Sequence, residues 1–257
     1  MEQEKERHPI EQPYLYNKVQ EYKSKVVQGD VFFEQFHVGQ EDAPVVLIPD
    51  LRDALIFEID ADSIAGQYYG IHDEPRKLVF RAGVTYFNVN VGPGKGFESK
   101  KLFVNQVVPL HALDEAFAVF DFDDFRAADF ERRTCQVIDF IEKNIRMTDC
   151  DHILRVLDYY VSEGYGVTLD EAARHCGYSS RQMRNIFRAQ IGISPKQAVQ
   201  IMRFQHALRE MAHGETKMKD LAQQFLFYDE AHFDKYFKKY AFDVSPSRFA
   251  KSIGRMD

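Results

Sequence analysis

The segment TLDEAARHCGYSSRQMRNIFRAQ, residues 168–190, decides the reading of this chain. Thr168 and Glu171 have the spacing of a capping box, in which the Thr hydroxyl takes a free backbone N–H and the Glu carboxylate reaches back. Leu169, Ala172, Ala173 and Cys176 follow as one buried helical stripe. Gly177 stands where that helix must stop, because glycine enters the left-handed conformation without a Cβ penalty. Ser179 and Gln182 form a second capping box, and Met183, Ile186 and Phe187 fall on one face of the helix that it starts. Helix, tight turn, helix is the helix-turn-helix motif. On the opposite face Arg181, Arg184, Asn185 and Arg188 lie at i, i+3, i+4 and i+7, and no Asp or Glu occurs between 172 and 209. An arginine fork can bond guanine O6 and N7, and an asparagine amide can do the same to adenine N6 and N7. The pattern predicts a helix that enters the major groove of double-stranded DNA. Its contact residues are Ser179, Ser180, Arg181, Gln182, Arg184, Asn185 and Arg188.

The unit recurs about fifty positions further on. Leu169, Ala172, Gly177, Phe187 and Ser194-Pro195 are echoed by Leu221, Ala222, Phe237 and Ser245-Pro246. The first motif spans about 168–190 and the second about 217–240. In the second, Asp229 can cap a helix whose buried face is Phe233, Tyr236 and Phe237. Its outer positions are Glu230, Ala231, Lys235, Lys238 and Lys239. Glu230 could accept from cytosine N4, and the lysines suit phosphates. Between the motifs Ser194 caps a linker helix with Pro195 at its first position, running to about 212. Such a helix is about 27 Å long, near the ~34 Å of one duplex turn, so both reading helices could reach successive grooves.

Upstream the periodicity changes. Val31-Phe32-Phe33, Val45 to Ile48, Ala54 to Ile59 and Val84 to Val91 are β-branched and aromatic, with turn residues such as Gln28-Gly29-Asp30 and Pro49-Asp50 between them. Phe130, Val137, Ile138 and Ile141 then mark a helix over 129–146, with a hinge over 147–152. The expected fold is α+β. A β-rich regulatory, effector or dimerisation domain covers 1–128, a connecting helix and hinge 129–150, and an all-α domain 151–257 with two helix-turn-helix motifs joined by a linker helix.

Charge follows this division. Residues 1–150 hold 17 Lys/Arg and 27 Asp/Glu, whereas 151–257 hold 16 and 13. The basic balance falls on the half that carries the reading helices. Three scattered cysteines, Cys135, Cys150 and Cys176, build neither a disulfide framework nor a four-cysteine zinc site, and they suit a reducing compartment. Met1 to Arg7 is charged where a signal peptide is apolar, and no segment approaches the ~20 apolar residues of a membrane span. These features predict a cytoplasmic protein with no membrane partner.

Residues 152–254 resemble the C-terminal DNA-binding domain of AraC/XylS-type bacterial transcription regulators. The resemblance rests on Leu169, Ala172, Gly177-Tyr178-Ser179, Met183, Ile186-Phe187, Gly192-Ile193-Ser194-Pro195 and Arg203. It continues through Leu221-Ala222, Phe225, Phe227, His232-Phe233, Phe237-Lys238, Ser245-Pro246 and Phe249. The family's reading positions fall on Arg181, Arg184 and Asn185, and on Glu230, Ala231 and Lys235. One departure is Leu226-Phe227, where the second motif of the family has Gly-Phe or Gly-Tyr. Residues 12–113 are similar to an N-terminal domain found in a subgroup of these regulators, through Ile48-Pro49-Asp50, Ala54 to Phe57, Tyr86-Phe87, Gly92-Pro93-Gly94 and Val108-Pro109-Leu110. The resemblance implies an activator that recruits RNA polymerase, with an effector or a second protomer bound by the N-terminal domain.

Other chemistries fit poorly. Gly92-Pro-Gly-Lys-Gly96 has no Ser or Thr after Lys95, and Ser99 comes too late for a phosphate loop, so a strand-ending turn is expected. His72-Asp73-Glu74 is adjacent to Pro75 and is expected as an exposed turn, not a metal site. Phe117, Phe120, Phe122, Phe125 and Phe130 are expected in the core, where they could also line an apolar pocket. No nucleophile–base pairing is visible, no cofactor is called for, and an enzyme is not expected. A DNA-repair methyltransferase with a similar domain would need a cysteine-rich zinc cluster. A regulator impaired in DNA binding that acts by pairing with another regulator is the alternative, motivated by Leu226, Glu230 and Ala231.

Overall fold

A computed structural model describes residues 19–28, 31–98, 102–213, 218–241, 244–246 and 249. The N-terminal Met1 to Arg7, the turn at Gly29-Asp30, Ser99 and the opening of the second motif at Lys217 lie outside the described residues.

The N-terminal half is built on an antiparallel six-stranded sheet of order β1-β2-β7-β4-β5-β9. These strands are β1 (Gln20–Gln28), β2 (Val31–His37), β4 (Asp53–Ile59), β5 (Ile64–Tyr69), β7 (Thr85–Val91) and β9 (Val107–Pro109). Central strands β4 and β7 carry apolar side chains on both faces because both faces are covered. Leu55, Phe57, Phe87 and Val89 point to one side; Ile56 and Tyr86 point to the other with Phe36. A separate antiparallel pair, β3 (Ala43–Leu47) with β6 (Arg76–Phe80), covers the second side through Val45 and Phe80. Helices cover the first: α1 (Leu110–Leu113), a 3₁₀ turn (Glu115–Val119), α2 (Phe122–Ala127) and α3 (Phe130–Asn144).

The aromatic run is this helical layer's core. Phe57 meets Phe125 at 4.7 Å between ring centroids, and Phe120 meets Phe140 at 4.9 Å. Phe117, Phe125 and Phe130 are buried, while Phe122 is partly so. Arg133 lies inside this packing with its guanidinium donating to the Phe125 and Arg126 carbonyls and to Gln35 Oε1, which ties α3 to the sheet. The expected hinge differs from the structure. Met147–Asp149 form β10, paired antiparallel with β8 (Lys95–Phe97), so the chain is fastened to the N-terminal half as it leaves α3.

Helices α4 (Asp151–Ser162), α5 (Leu169–His175), α6 (Ser180–Gln190), α7 (Pro195–His213), α8 (Met218–Gln224) and α9 (Glu230–Tyr240) form the C-terminal half. Helix α4 occupies the end of the expected hinge and buries Ile153, Val156, Leu157 and Tyr160. One core runs through both motifs, from Ala172, Met183 and Phe187 past Ile201, Phe204 and Leu208 to Leu221 and Phe237. Ile48, Leu51 and Ile71 of the N-terminal half join it.

That shared core corrects the reading of His72 as part of an exposed turn. His72 is 8% exposed, because the β5–β6 connection that carries it is covered by the all-α half. Its imidazole is hydrogen-bonded to the Ile48 backbone and its Nε2 has no partner among the described residues. Burial, with Arg76 nearby, pulls its pKa down to about 4, and burial pulls His206 on α7 down to about 4 as well. A depressed histidine pKa means that the folded state binds its proton less readily than the unfolded chain. The stability from these groups is therefore present above pH 6.5 and is lost as pH falls toward about 4. Asp53 opposes them: burial raises its carboxyl to about 6, so its contribution is present below pH 3.8 and is lost as pH rises through 6. Urea titrations between pH 7 and 4 should therefore show a shallower loss of stability in His72→Gln than in the natural protein. Parallel pH profiles would exclude His72 as a source of that loss.

Candidate nucleic-acid interface

Helix α6 starts on its sequence signals. Gln182 N donates to Ser179 Oγ at 3.3 Å, and Ser179 N donates to Gln182 Oε1 at 2.9 Å. The preceding helix uses the other box: Thr168 N donates to Glu171 Oε2 at 2.7 Å, and Gly177 adopts φ +82° in the turn between them. Thus Ser179 and Gln182 are engaged in the cap, and Ser180 Oγ donates to Asp170 on α5. These three set where the helix begins and how it leans on its neighbour.

The other four face solvent. Arg181, Arg184, Asn185 and Arg188 are exposed, with Met183 and Phe187 at 0% on the buried side. None of the four has a hydrogen-bond or ion-pair partner among the described residues. Three guanidinium groups and one amide therefore stand free along a single helical face, on a helix seated by its opposite side. A cleft of about 470 Å³ opens beside this face, lined by Tyr160, Leu169, Arg184, Lys196, Val199 and Arg203. Lys196 carries no motif signal of its own in the sequence, although it lies in the acid-free run 172–209 together with Arg203 of the family pattern. Lys196 is exposed and extends the positive face; Arg203 stacks over Phe227 at 4.4 Å and Tyr236 at 5.0 Å, tying α7 to the second motif.

The second motif repeats the construction with different surface chemistry. His232 N donates to the Asp229 cap at 2.7 Å, and Phe233, Tyr236 and Phe237 are buried. Glu230, Ala231 and Lys235 are exposed at the start of α9. Lys238 is committed to Asp234 at 2.6 Å, and Lys239 donates to Tyr240 Oη at 3.1 Å. The departure at Leu226 leaves the turn intact. Leu226 takes φ +52° where Gly177 has +82°, and Phe227 N donates to Ala222 O at 2.8 Å as Tyr178 N does to Ala173 O at 2.9 Å. A leucine there carries left-handed strain of about 1–2 kcal/mol, against the ~0.5–1 kcal/mol that glycine adds in backbone entropy. Leu226 is 51% exposed, so little packing is lost on its removal. Leu226→Gly should raise unfolding free energy by about 0.5–1 kcal/mol in urea titration; a lowered value would mean that the leucine side chain, not the backbone, holds this turn.

The sequence profile of a helix-turn-helix domain family matches residues 172–252, which cover α6, α7 and α9. The C-terminal half carries an AraC-type helix-turn-helix domain. Domains of this type are DNA-binding modules of transcription regulators. The lactose operon transcription activator of Staphylococcus xylosus is 26% identical over 83 residues, which are 32% of this chain and 29% of that protein's length. Among solved structures, an AraC-type regulator from Chromobacterium violaceum is 15% identical, with 42% of this chain and 96% of that one covered at TM-score 0.39. ToxT from Vibrio cholerae is 12% identical over 89% of this chain and 100% of its own, at TM-score 0.49. Among the described residues no helix is long and apolar enough to cross a membrane, and no cluster of three or more His, Cys, Asp or Glu could hold a metal ion.

Proposed function

We propose that this chain is a sequence-specific DNA-binding transcription regulator, working in the cytoplasm as an activator and controlled through its β-rich N-terminal domain. The observation that carries this reading is the free stripe of Arg181, Arg184, Asn185 and Arg188 on an AraC-type reading helix whose other face is seated through buried Met183 and Phe187. Arg181 and Arg184 read guanine edges and Asn185 reads adenine. Arg188 and Lys196 neutralise phosphates, which releases counterions and supplies most of the affinity. Helix α7 has 19 residues and so spans about 28 Å. It holds α9 near the next groove, with Lys235 and Lys239 at the backbone and Glu230 and Ala231 toward the bases. The working units are the domains at 1–128 and 151–257, joined by 129–150. The N-terminal one takes a small effector or a second protomer, which must favour one of two arrangements to have any effect. The likeness to a transcription activator supports recruitment of RNA polymerase as the output.

A second reading assigns the chain to pairing with another regulator, without reading DNA itself. The 51% exposed Leu226 and 92% exposed Tyr228, beside Glu230 on the second motif, favour it. Selection of duplexes from a random library by the full chain separates the two. A DNA reader enriches two half-sites about one helical turn apart, with affinity falling steeply as salt rises. No enrichment at low salt would leave the pairing protein as the better account.

A further inference from the structure

The N-terminal half touches the DNA-reading unit beside the turn that joins α6 to α7. Gln197, the third residue of α7, divides its amide between two tasks. Its Oε1 accepts from Ser194 N at 3.1 Å and Ser194 Oγ at 2.7 Å, completing the cap of α7. Its Nε2 donates to Asp73 Oδ2 at 2.7 Å, across 124 positions of sequence. Asp73 is held in turn: its Oδ1 accepts from Asn105 Nδ2 at 2.7 Å, and its backbone N–H donates to Asn105 Oδ1 at 3.1 Å. Asn105 N donates to Ile71 O at 2.9 Å, which returns the network to the end of the sheet.

A second contact lies one turn away. Gly192, at φ +74° between α6 and α7, is pressed so closely on Val104 that a Cβ would lie 2.2 Å from Val104 Cγ2. The Gly192 and Ile191 N–H groups both donate to Phe187 O, at 3.1 and 3.0 Å, so the turn moves with the end of the reading helix. Further along α7, Gln205 Nε2 donates to Pro49 O at 2.7 Å. With these contacts closed, Arg181, Arg184, Asn185 and Arg188 remain exposed. The arrangement thus leaves the reading face open and fixes its direction.

We propose that Gln197 and Asp73 are positioning residues for base reading: their hydrogen bond sets the angle of α6 and carries any shift of segments 70–75 and 102–106 to the reading helix. The inference rests on the DNA-reading function proposed above and names the contact through which the N-terminal domain would control it.

The two tasks of Gln197 can be separated by one variant. Gln197→Glu keeps an acceptor for Ser194, and a carboxylate suits the N-terminus of a helix. The same carboxylate cannot donate to Asp73 and repels it. Combining it with Asp73→Asn reverses donor and acceptor, so an amide again faces a carboxylate while the Asn105 contact is kept. The full chain, its Q197E variant and the D73N/Q197E variant would be titrated against duplexes selected by the natural protein, and against a random duplex of equal length. Q197E should unfold as cooperatively as the natural protein, bind the selected duplex about tenfold more weakly and bind the random duplex equally well. D73N/Q197E should recover the lost affinity. A general structural role would lower both affinities together, without rescue by Asp73→Asn. Equal binding of the selected duplex by Q197E, or a double variant as weak as the single one, would overturn the positioning role alone. Failure of the natural protein to select any sequence would overturn the DNA-reading function, and the positioning role with it.

Discussion

Phe187→Ala should lower the unfolding free energy of the protein by about 3–5 kcal/mol, the range for deleting a buried phenylalanine ring. Phe187 is 0% exposed and shares one core with Met183, Ala172, Ala173 and Ile191. Its ring seats α6 from the side opposite the arginines, and its carbonyl anchors the turn at Gly192. Deleting the ring leaves a cavity in a core continuous with both motifs, so relaxation around it is limited. Domains of this size are stable by only about 5–15 kcal/mol, so the loss is a large share of the total. DNA binding should fall with it at temperatures where the native protein is otherwise folded. Urea unfolding followed by circular dichroism should show a lower midpoint with an unchanged slope. A loss under about 1 kcal/mol, the scale of a mildly tolerated swap, would mean that α6 is not seated through this ring.

Arg184→Ala should behave in the opposite way. The side chain is exposed, has no partner among the described residues and borders the cleft toward Lys196. Its removal should leave stability within about 0.5 kcal/mol, as expected of a surface position. Affinity for a selected duplex should fall by about 1–3 kcal/mol and preference at one base pair should relax, with much less change on a random duplex. Equal losses on both duplexes would assign Arg184 to the phosphates instead. The two variants together separate holding the reading helix from reading with it.

The first motif was legible because its signals are local. Two capping boxes, a glycine at a left-handed position and a 3.6-residue apolar stripe all lie within 23 residues, and each is found in the structure. Strands β4 and β7 were legible because they are buried on both faces. Strands β5 and β6, with sequences IAGQYY and RKLVF, are half-exposed at several positions and carry no such run. Helix α4 buries residues 153, 156, 157 and 160, but the residue before its first turn is Cys150, which makes no side-chain cap bond, so nothing local announces a start. The reading stripe could be drawn from the sequence; what could not was which of its neighbours were already engaged. Ser179, Ser180 and Gln182, expected as contact residues, also serve the cap and the tie to α5. The burial of His72 and the bond from Gln197 to Asp73 join segments more than a hundred residues apart. No period or motif records such a pairing, because it exists only once the two halves have packed.

The claim on which the rest depends is that guanidinium groups of α6 meet base edges. A selected duplex carrying 7-deazaguanine at each guanine in turn tests it most directly, because that base lacks only the N7 acceptor. At the guanine read by Arg184, the substitution should weaken the natural protein and leave the affinity of Arg184→Ala unchanged. If every such substitution weakens both proteins equally, or neither, the helix does not read guanine through Arg184.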